Sequence, residues 1–130
     1  MIPTIWELIG RKGSIGIITG HSELLSKNHL LNSGWREDIP IVVQGMEDEE
    51  HFTEIVINGG LNLDVGKMEL DVINATNKLL RKSDDLRVIL VECSNLGTYS
   101  NVINQITDLP VIDIITVTNF LEQIVSPIKY

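Results

Sequence analysis

The chain has 130 residues, of which 43% are apolar and 22% charged, and its formal net charge is −8. This size and composition predict one globular domain with a core of its own. The negative charge argues against a nucleic-acid surface, which needs clustered basic residues. No apolar run approaches the roughly 20 residues that cross a bilayer, and the N-terminus has no signal-peptide pattern. A single cysteine cannot form an internal disulfide, so we expect a cytoplasmic protein.

Apolar and amphipathic segments alternate along the chain. The pattern predicts, in order, a helix at Ile2–Gly10, a strand at Ser14–Thr19, a helix capped by Ser22 and ended by Gly34, and a strand at Ile39–Gly45. An acidic, partly helical segment follows at Met46–Asn58, and then a long helix that begins after Asp64. The last elements are a strand at Leu86–Cys93, a helix at Gly97–Thr107, a strand at Leu109–Ile114 and a helix at Thr116–Val125.

The predicted strands are rich in Val and Ile and do not alternate strictly between apolar and polar residues. Strands that helices cover on both faces have this pattern, and it favours a parallel sheet. We therefore predict an α/β fold, with residues 1–130 forming a single three-layer lobe. A four-stranded parallel sheet would lie between two layers of helices.

Polar residues follow three of the predicted strands, in the segments Thr19–Ser22, Glu92–Asn95 and Asp113–Thr116. In a parallel sheet all three segments lie at the carboxyl edge, where ligands bind in open α/β folds. Helix N-termini also point to this edge. Their N–H groups would suit a carboxylate or phosphate beside Ser94 and Asn95. The same groups would lower the pKa of Cys93 and favour its thiolate.

Each of these residues also has a purely structural interpretation. Unpaired cysteines are usually buried and inert, so Cys93 is also explained as a packing residue. Glu92 would then pair with a neighbour and His21 would face solvent beside a turn, while His29 and His51 look like surface residues. The histidines and the cysteine lack the spacing of zinc ligands, so we expect no metal.

The segment Val88–Val125 resembles the last third of proteins in the aspartate/glutamate/hydantoin racemase superfamily. The matching pieces are Glu92-Cys93-Ser94-Asn95, Leu109-Pro110-Val111-Ile112-Asp113 and the helix after Thr116. Upstream, RKGSIGIITGHSELLSKNHLLNSGW resembles the segment that opens the second lobe in that superfamily. The resemblance is collinear from about Arg11 to Val125, and Met1–Gly10 resembles the helix that crosses between the lobes.

The resemblance implies a function as well as a fold. Members have two similar α/β lobes, and each lobe contributes one cysteine to the cleft between them. The two thiols work without a cofactor (no pyridoxal phosphate) on opposite faces of a carbon next to a carboxylate or carbonyl. By this resemblance Cys93 is the catalytic cysteine of the second lobe. Ser94 and Asn95 match positions that hold the substrate carboxylate, and Thr19 and Gly20 match a turn that faces the cleft.

A complete two-lobe member is about twice the size of one such domain, so the resemblance covers the second (C-terminal) lobe alone. We expect a lone lobe to be inactive, or to require a separately encoded first lobe. One alternative is a homodimer that places two copies of Cys93 across one cleft, including a form with single-thiol chemistry similar to that of arylmalonate decarboxylases. The other is a non-catalytic module that binds a small anion, such as a carboxylate.

Overall fold

The computed structural model describes residues 1–129 and is an α/β fold. Its strands are β1 (Ser14–Thr19), β2 (Ile41–Gly45), β3 (Leu86–Val91) and β4 (Val111–Ile112). Its α-helices are α1 (Ile2–Leu8), α2 (Lys27–Asn32), α3 (Glu50–Phe52), α4 (Val65–Lys82), α5 (Ser100–Thr107) and α6 (Ile114–Val125). None of the helices in this described part of the chain is long and apolar enough to cross a membrane.

The four strands form one parallel sheet in the order β2-β1-β3-β4. Every residue of β1 is buried because this strand lies inside the sheet and helices pack on both faces. The predicted fold class and the parallel sheet are therefore confirmed. The parallel arrangement brings the ends of β1, β2, β3 and β4 to one edge of the sheet.

Two apolar layers cover the two faces of the sheet. On one face, side chains of α1 and α2 pack against Ile15, Ile17 and Val88. On the other face, side chains of α3, α4 and α5 pack against Ile18, Ile89 and Val91. Successive residues of β1 thus serve opposite layers, as the pleat of a strand requires. This double burial explains why the strands show no alternation of apolar and polar residues.

Gly16 allows α4 to approach the central strand closely. A Cβ atom at this position would lie 2.9 Å from Cδ2 of Leu79, a fully buried side chain of α4. Gly16 is therefore explained by the packing of the helix on the sheet.

Several boundaries differ from the sequence prediction. The helix expected after Ser22 begins at Lys27 and is capped by Ser26, and the residue that follows its C-cap, Gly34, has a positive φ of 88°. Between Cys93 and α5 the chain forms a 3₁₀ helix, Ser94–Tyr99, where an α-helix from Gly97 was expected. β4 is shorter than predicted, and α6 begins at Ile114 because Asp113 caps it.

Candidate functional site

A cavity of about 820 Å³ opens at the carboxyl edge of the sheet. It is lined by residues at the ends of β1 and β3 and by side chains of α1 and α2. Phe52 of α3 and the π-helical turn that follows it, Thr53–Ile57, contribute further side chains. Four of the five residues that the sequence predicted for the site line this cavity, namely Thr19, Gly20, Cys93 and Ser94. The structure therefore brings together residues that lie more than seventy positions apart in the chain.

Cys93 sits where β3 ends and the 3₁₀ helix Ser94–Tyr99 begins. Its thiol is free and half-buried, so it is neither sealed in the core nor fully in solvent. Gly20 leaves the sulfur uncovered on the side of β1. A Cβ atom at Gly20 would lie 3.6 Å from Sγ of Cys93 and 3.6 Å from the ring of Phe52. The absence of a side chain at Gly20 keeps open the space in front of the sulfur.

The expected lowering of the Cys93 pKa is wrong. Burial raises the pKa of this thiol because the thiolate would lose solvation. Hydrogen bonds from the backbone N–H groups of Asn95 and Leu96 act in the opposite direction, and the carboxylate of Glu92 raises the pKa further. The helix-start amides are present as predicted, but they do not outweigh burial. Cys93 is therefore mostly a neutral thiol around neutral pH.

Glu92 and Thr19 join the ends of β3 and β1. The Thr19 hydroxyl donates a hydrogen bond of 2.7 Å to the Glu92 carboxylate. Both residues line the cavity, and Glu92 is otherwise exposed to solvent. This pair fixes a negative charge beside the thiol. The negative charge of Glu92 is one of the reasons why the pKa of Cys93 is raised.

Asn95 differs from the other predicted site residues. Its side chain is exposed and does not line the cavity, whereas its backbone N–H points to the Cys93 sulfur. The 3₁₀ helix turns the Asn95 side chain away from the end of β3. The structure thus brings Ser94, and not the side chain of Asn95, to the wall of the cavity.

His21, Ser22 and Glu47 form a polar cluster beside the cavity, in which His21 is the residue that lines it. No pattern in the sequence indicated this cluster. Ser22 was expected to cap a helix, but its N–H and its hydroxyl both donate to the Glu47 carboxylate. Burial disfavours the charge on Glu47. The hydrogen bonds from Ser22 and the backbone, with the charge of His21, nevertheless hold the pKa of that carboxyl below its usual range.

The remaining histidines have different roles. His29 is exposed on α2, as expected, and its ring lines the outer part of the cavity. His51 was expected at the surface but is 6% exposed. Its Nε2 accepts a 2.9 Å hydrogen bond from the N–H of Asp64, and its Nδ1 lies 3.2 Å from the Glu54 carboxylate. His51 therefore connects the α3 segment to the start of α4. No periodicity in the sequence signals such a contact.

Asp113 is at the carboxyl edge but serves the fold. Its carboxylate accepts hydrogen bonds from the Ser100 hydroxyl and, at 2.7 Å, from the N–H of Thr116. Burial opposes its ionisation, yet these hydrogen bonds hold the pKa of Asp113 below its usual range. Within residues 1–129, no group of three or more His, Cys, Asp or Glu side chains is arranged to hold a metal ion.

The chain is similar to two proteins of known identity. It is 27% identical over 125 residues to a dimethylsulfoniopropionate lyase from Durusdinium sp. clade D, in an alignment covering 92% of this chain and 40% of the lyase. It superposes on the crystal structure of allantoin racemase from Pseudomonas fluorescens with a TM-score of 0.53 and 16% sequence identity. That superposition covers 95% of this chain and 50% of the racemase. No protein-family model matches the chain.

The similarity to allantoin racemase confirms the predicted resemblance at the level of the fold. The chain has the α/β fold of a single lobe and spans half of the allantoin racemase chain. It spans well under half of the lyase. Both similarities run through nearly the whole of this chain.

Proposed function

We propose that this lobe transfers protons by means of the Cys93 thiol, without a cofactor, at a carbon next to a carboxylate or carbonyl of a small molecule. The observation that carries the proposal is the position of Cys93: a free, half-buried thiol at the carboxyl edge of a parallel sheet, open to a cavity of about 820 Å³. A reducing, cytoplasmic environment would keep such a thiol free.

In the proposed step the thiol first ionises and releases its proton to solvent. The thiolate then takes a proton from the substrate carbon, and the electron pair of that C–H bond moves into the neighbouring carboxylate or carbonyl to give an enediolate or enolate. Return of a proton to the carbon gives back the substrate or its mirror image. If a leaving group is present on the next carbon, the same electron pair expels it and forms a double bond.

The names of the two similar proteins are consistent with this shared first step. A racemase inverts a carbon centre and a lyase eliminates a group, and both reactions can begin with removal of a proton by a base. We therefore propose allantoin and dimethylsulfoniopropionate as the first substrates to test, beside aspartate, glutamate, a simple hydantoin and a substituted malonate.

The proposed roles of the other residues follow their positions. Ser94 lines the cavity next to the thiol, and its hydroxyl would donate a hydrogen bond to the substrate. Gly20 would leave room for the substrate carbon in front of the sulfur, and Thr19 would hold Glu92 by its 2.7 Å hydrogen bond. Asn95 would act through its backbone N–H, which hydrogen-bonds the sulfur of Cys93.

We further propose that a second lobe completes the cleft. α6 is the main support, because its large apolar side chains are exposed, among them Ile114, Ile115, Phe120, Leu121, Ile124 and Val125. Monomeric proteins rarely expose a contiguous apolar patch of this kind unless a partner covers it. The lobe described here would be the second one, and its partner would be a first lobe or another copy of this chain.

The test is solvent deuterium exchange at the substrate carbon, followed by NMR for each substrate in heavy water. Optical rotation of allantoin and release of dimethyl sulfide give two independent readings. If a second copy of this chain completes the cleft, we expect exchange that is lost in Cys93→Ala and Cys93→Ser. Asn95→Ala is the matched control and should keep activity, because it retains the backbone N–H next to the sulfur. Exchange that persists in both cysteine variants would rule out the proposed role of Cys93.

A second function, binding of a small anion without catalysis, is favoured by the raised pKa of Cys93. The rate of alkylation by iodoacetamide separates the two functions. We expect Glu92→Gln to lower the pKa of Cys93 and to speed alkylation around neutral pH, because it removes a neighbouring negative charge. A thiol that stays inert to alkylation at all pH values in both proteins would favour binding over catalysis.

A further inference from the structure

The charges around the cavity are unusual for a site that binds a carboxylate. Among the described residues, no lysine or arginine lines the cavity, and Glu92 contributes a negative charge. The side chains that can carry positive charge there are His21 and His29. Among the side chains that line the cavity, these two histidines are therefore the candidates for a charged partner of a carboxylate next to Cys93.

His21 has a free hydrogen-bonding position, which distinguishes it from the other polar groups around it. Its Nδ1 is shielded from solvent and has no hydrogen-bond partner within residues 1–129. The two acidic groups nearby are already engaged, Glu47 by Ser22 and Glu92 by Thr19. A shielded nitrogen without a partner costs free energy, and a ligand that supplies the partner recovers it.

We propose that the protonated imidazole of His21 binds the carboxylate of the ligand that sits in front of Cys93. This inference rests on the proposed function for the nature of the ligand. His21 and Cys93 line the same cavity. The torsion about the Cβ–Cγ bond of a histidine is broad, and the proposal requires the ring to turn about that bond so that Nδ1 faces the ligand.

Four groups set the charge balance at His21. Glu47, which follows β2, interacts with the charge of His21. Glu92, His29 and Cys93 line the same cavity as His21. An imidazole pairs with a carboxylate as a cation only while it is protonated, so the proposal predicts that anion binding in the cavity weakens as the pH rises.

The test compares two reagents that alkylate the same sulfur, the anion iodoacetate and the neutral iodoacetamide. The Cys93 thiolate attacks the CH₂ carbon of either reagent and iodide leaves, so the ratio of the two rates cancels the thiolate fraction and reports the charge of the cavity. We expect the iodoacetate-to-iodoacetamide ratio to be higher at about pH 6 than at about pH 8. His21→Gln should lower the ratio about tenfold at the lower pH and remove its pH dependence.

His29→Gln is the matched control, because it removes the other histidine of the same cavity. We expect it to leave most of the pH dependence in place. His21→Asn is a second variant that keeps a neutral hydrogen-bonding group, and it should behave like His21→Gln while circular dichroism shows a native fold. A ratio that is unchanged in both His21 variants, or that falls only in His29→Gln, would overturn the proposal.

The same experiment separates this inference from the proposed function. Loss of the iodoacetate preference in the His21 variants supports an anion site at His21 even if no substrate exchanges deuterium. The opposite outcome is deuterium exchange that depends on Cys93 while both His21 variants leave the exchange and the alkylation ratio unchanged. That outcome would support the proposed function and reject the role of His21.

Discussion

Helices α4 and α6 differ in how the fold uses their apolar residues. α4 carries many charged residues, yet Met68, Val72, Ala75 and Leu79 form a stripe that is buried against the sheet. α6 has one charged residue, Glu122, and none of its residues is buried. The more apolar helix is thus the more exposed one. Burial follows from where the chain places a helix, and α6 remains an apolar surface that a partner would cover.

The two helices are also attached differently. α4 packs on the sheet along its apolar stripe, and Asp64 caps its start by accepting a 3.0 Å hydrogen bond from the N–H of Lys67. α6 is held at its first turn, where Asp113 bonds Ser100 and Thr116 and where a Cβ on Gly97 would lie 3.2 Å from Cδ1 of Ile115. Beyond that turn its side chains face solvent.

The same substitution in each helix gives the largest contrast. Leu79→Ala removes a fully buried side chain, and we expect a loss of about 2–5 kcal/mol in the free energy of unfolding. Leu121 is 54% exposed, so Leu121→Ala should change that free energy by less than about 0.5 kcal/mol. Urea denaturation of both variants measures the difference. Equal losses would show that α6 is packed in solution.

Gly16→Ala tests how closely α4 approaches β1. The new Cβ would lie 2.9 Å from Cδ2 of Leu79, and we expect a loss of about 1–3 kcal/mol from overpacking. Gly66→Ala is the control within α4, since its Cβ would meet no atom closer than 3.4 Å. That variant should be neutral or slightly stabilising. Thermal unfolding followed by circular dichroism distinguishes the two, and a neutral Gly16→Ala would contradict the close packing.

Asp113→Ala should release the first turn of α6, at a cost of about 0.5–2 kcal/mol at neutral pH. The folded protein holds the pKa of Asp113 below its usual range. This stabilisation is therefore complete above the pKa of the unfolded chain and is lost as the pH falls through the lower folded value. Unfolding measured from about pH 7 down to pH 3 should show the two proteins converging at the acid end. A constant gap across that range would mean that charge plays no part.

Phe120→Ser tests the exposed face of α6 and should have the smallest effect on stability. The ring is 62% exposed, so we expect a change below about 0.5 kcal/mol. Association is the informative measurement. If two copies meet through α6, sedimentation should show a concentration-dependent dimer that Phe120→Ser weakens. Dimers unaffected by Phe120→Ser and Leu121→Ala would place the interface elsewhere.

Much of the fold was predictable from the chain because local signals agreed with the tertiary structure. Apolar runs rich in Val and Ile marked the strands, and Asp64 marked the start of α4. The prediction failed where a side chain had a distant partner. Ser22 looked like a helix cap until the fold brought Glu47 beside it. His51 looked like a surface residue until Asp64 and Glu54 closed around it.

The candidate site shows the same division. Parallel strands end at one edge, so the meeting of Thr19, Gly20, Cys93 and Ser94 in one cavity followed from their positions after β1 and β3. The side-chain direction of Asn95 did not, because it depends on the 3₁₀ turn that follows Cys93. The absence of a hydrogen-bond partner for Nδ1 of His21 could not be predicted either, because it depends on which of the neighbouring residues bind each other in the folded chain.

The sequence by itself determined the class of fold, the order of its elements and the edge of the sheet where the predicted site residues lie. These depend on hydrophobic periodicity and on residues that are close in the chain. Only the tertiary structure decided the protonation tendency of Cys93, the partners of Glu92 and Glu47, and the exposure of α6. Those properties depend on burial and on contacts between distant segments, and neither exists until the chain has folded.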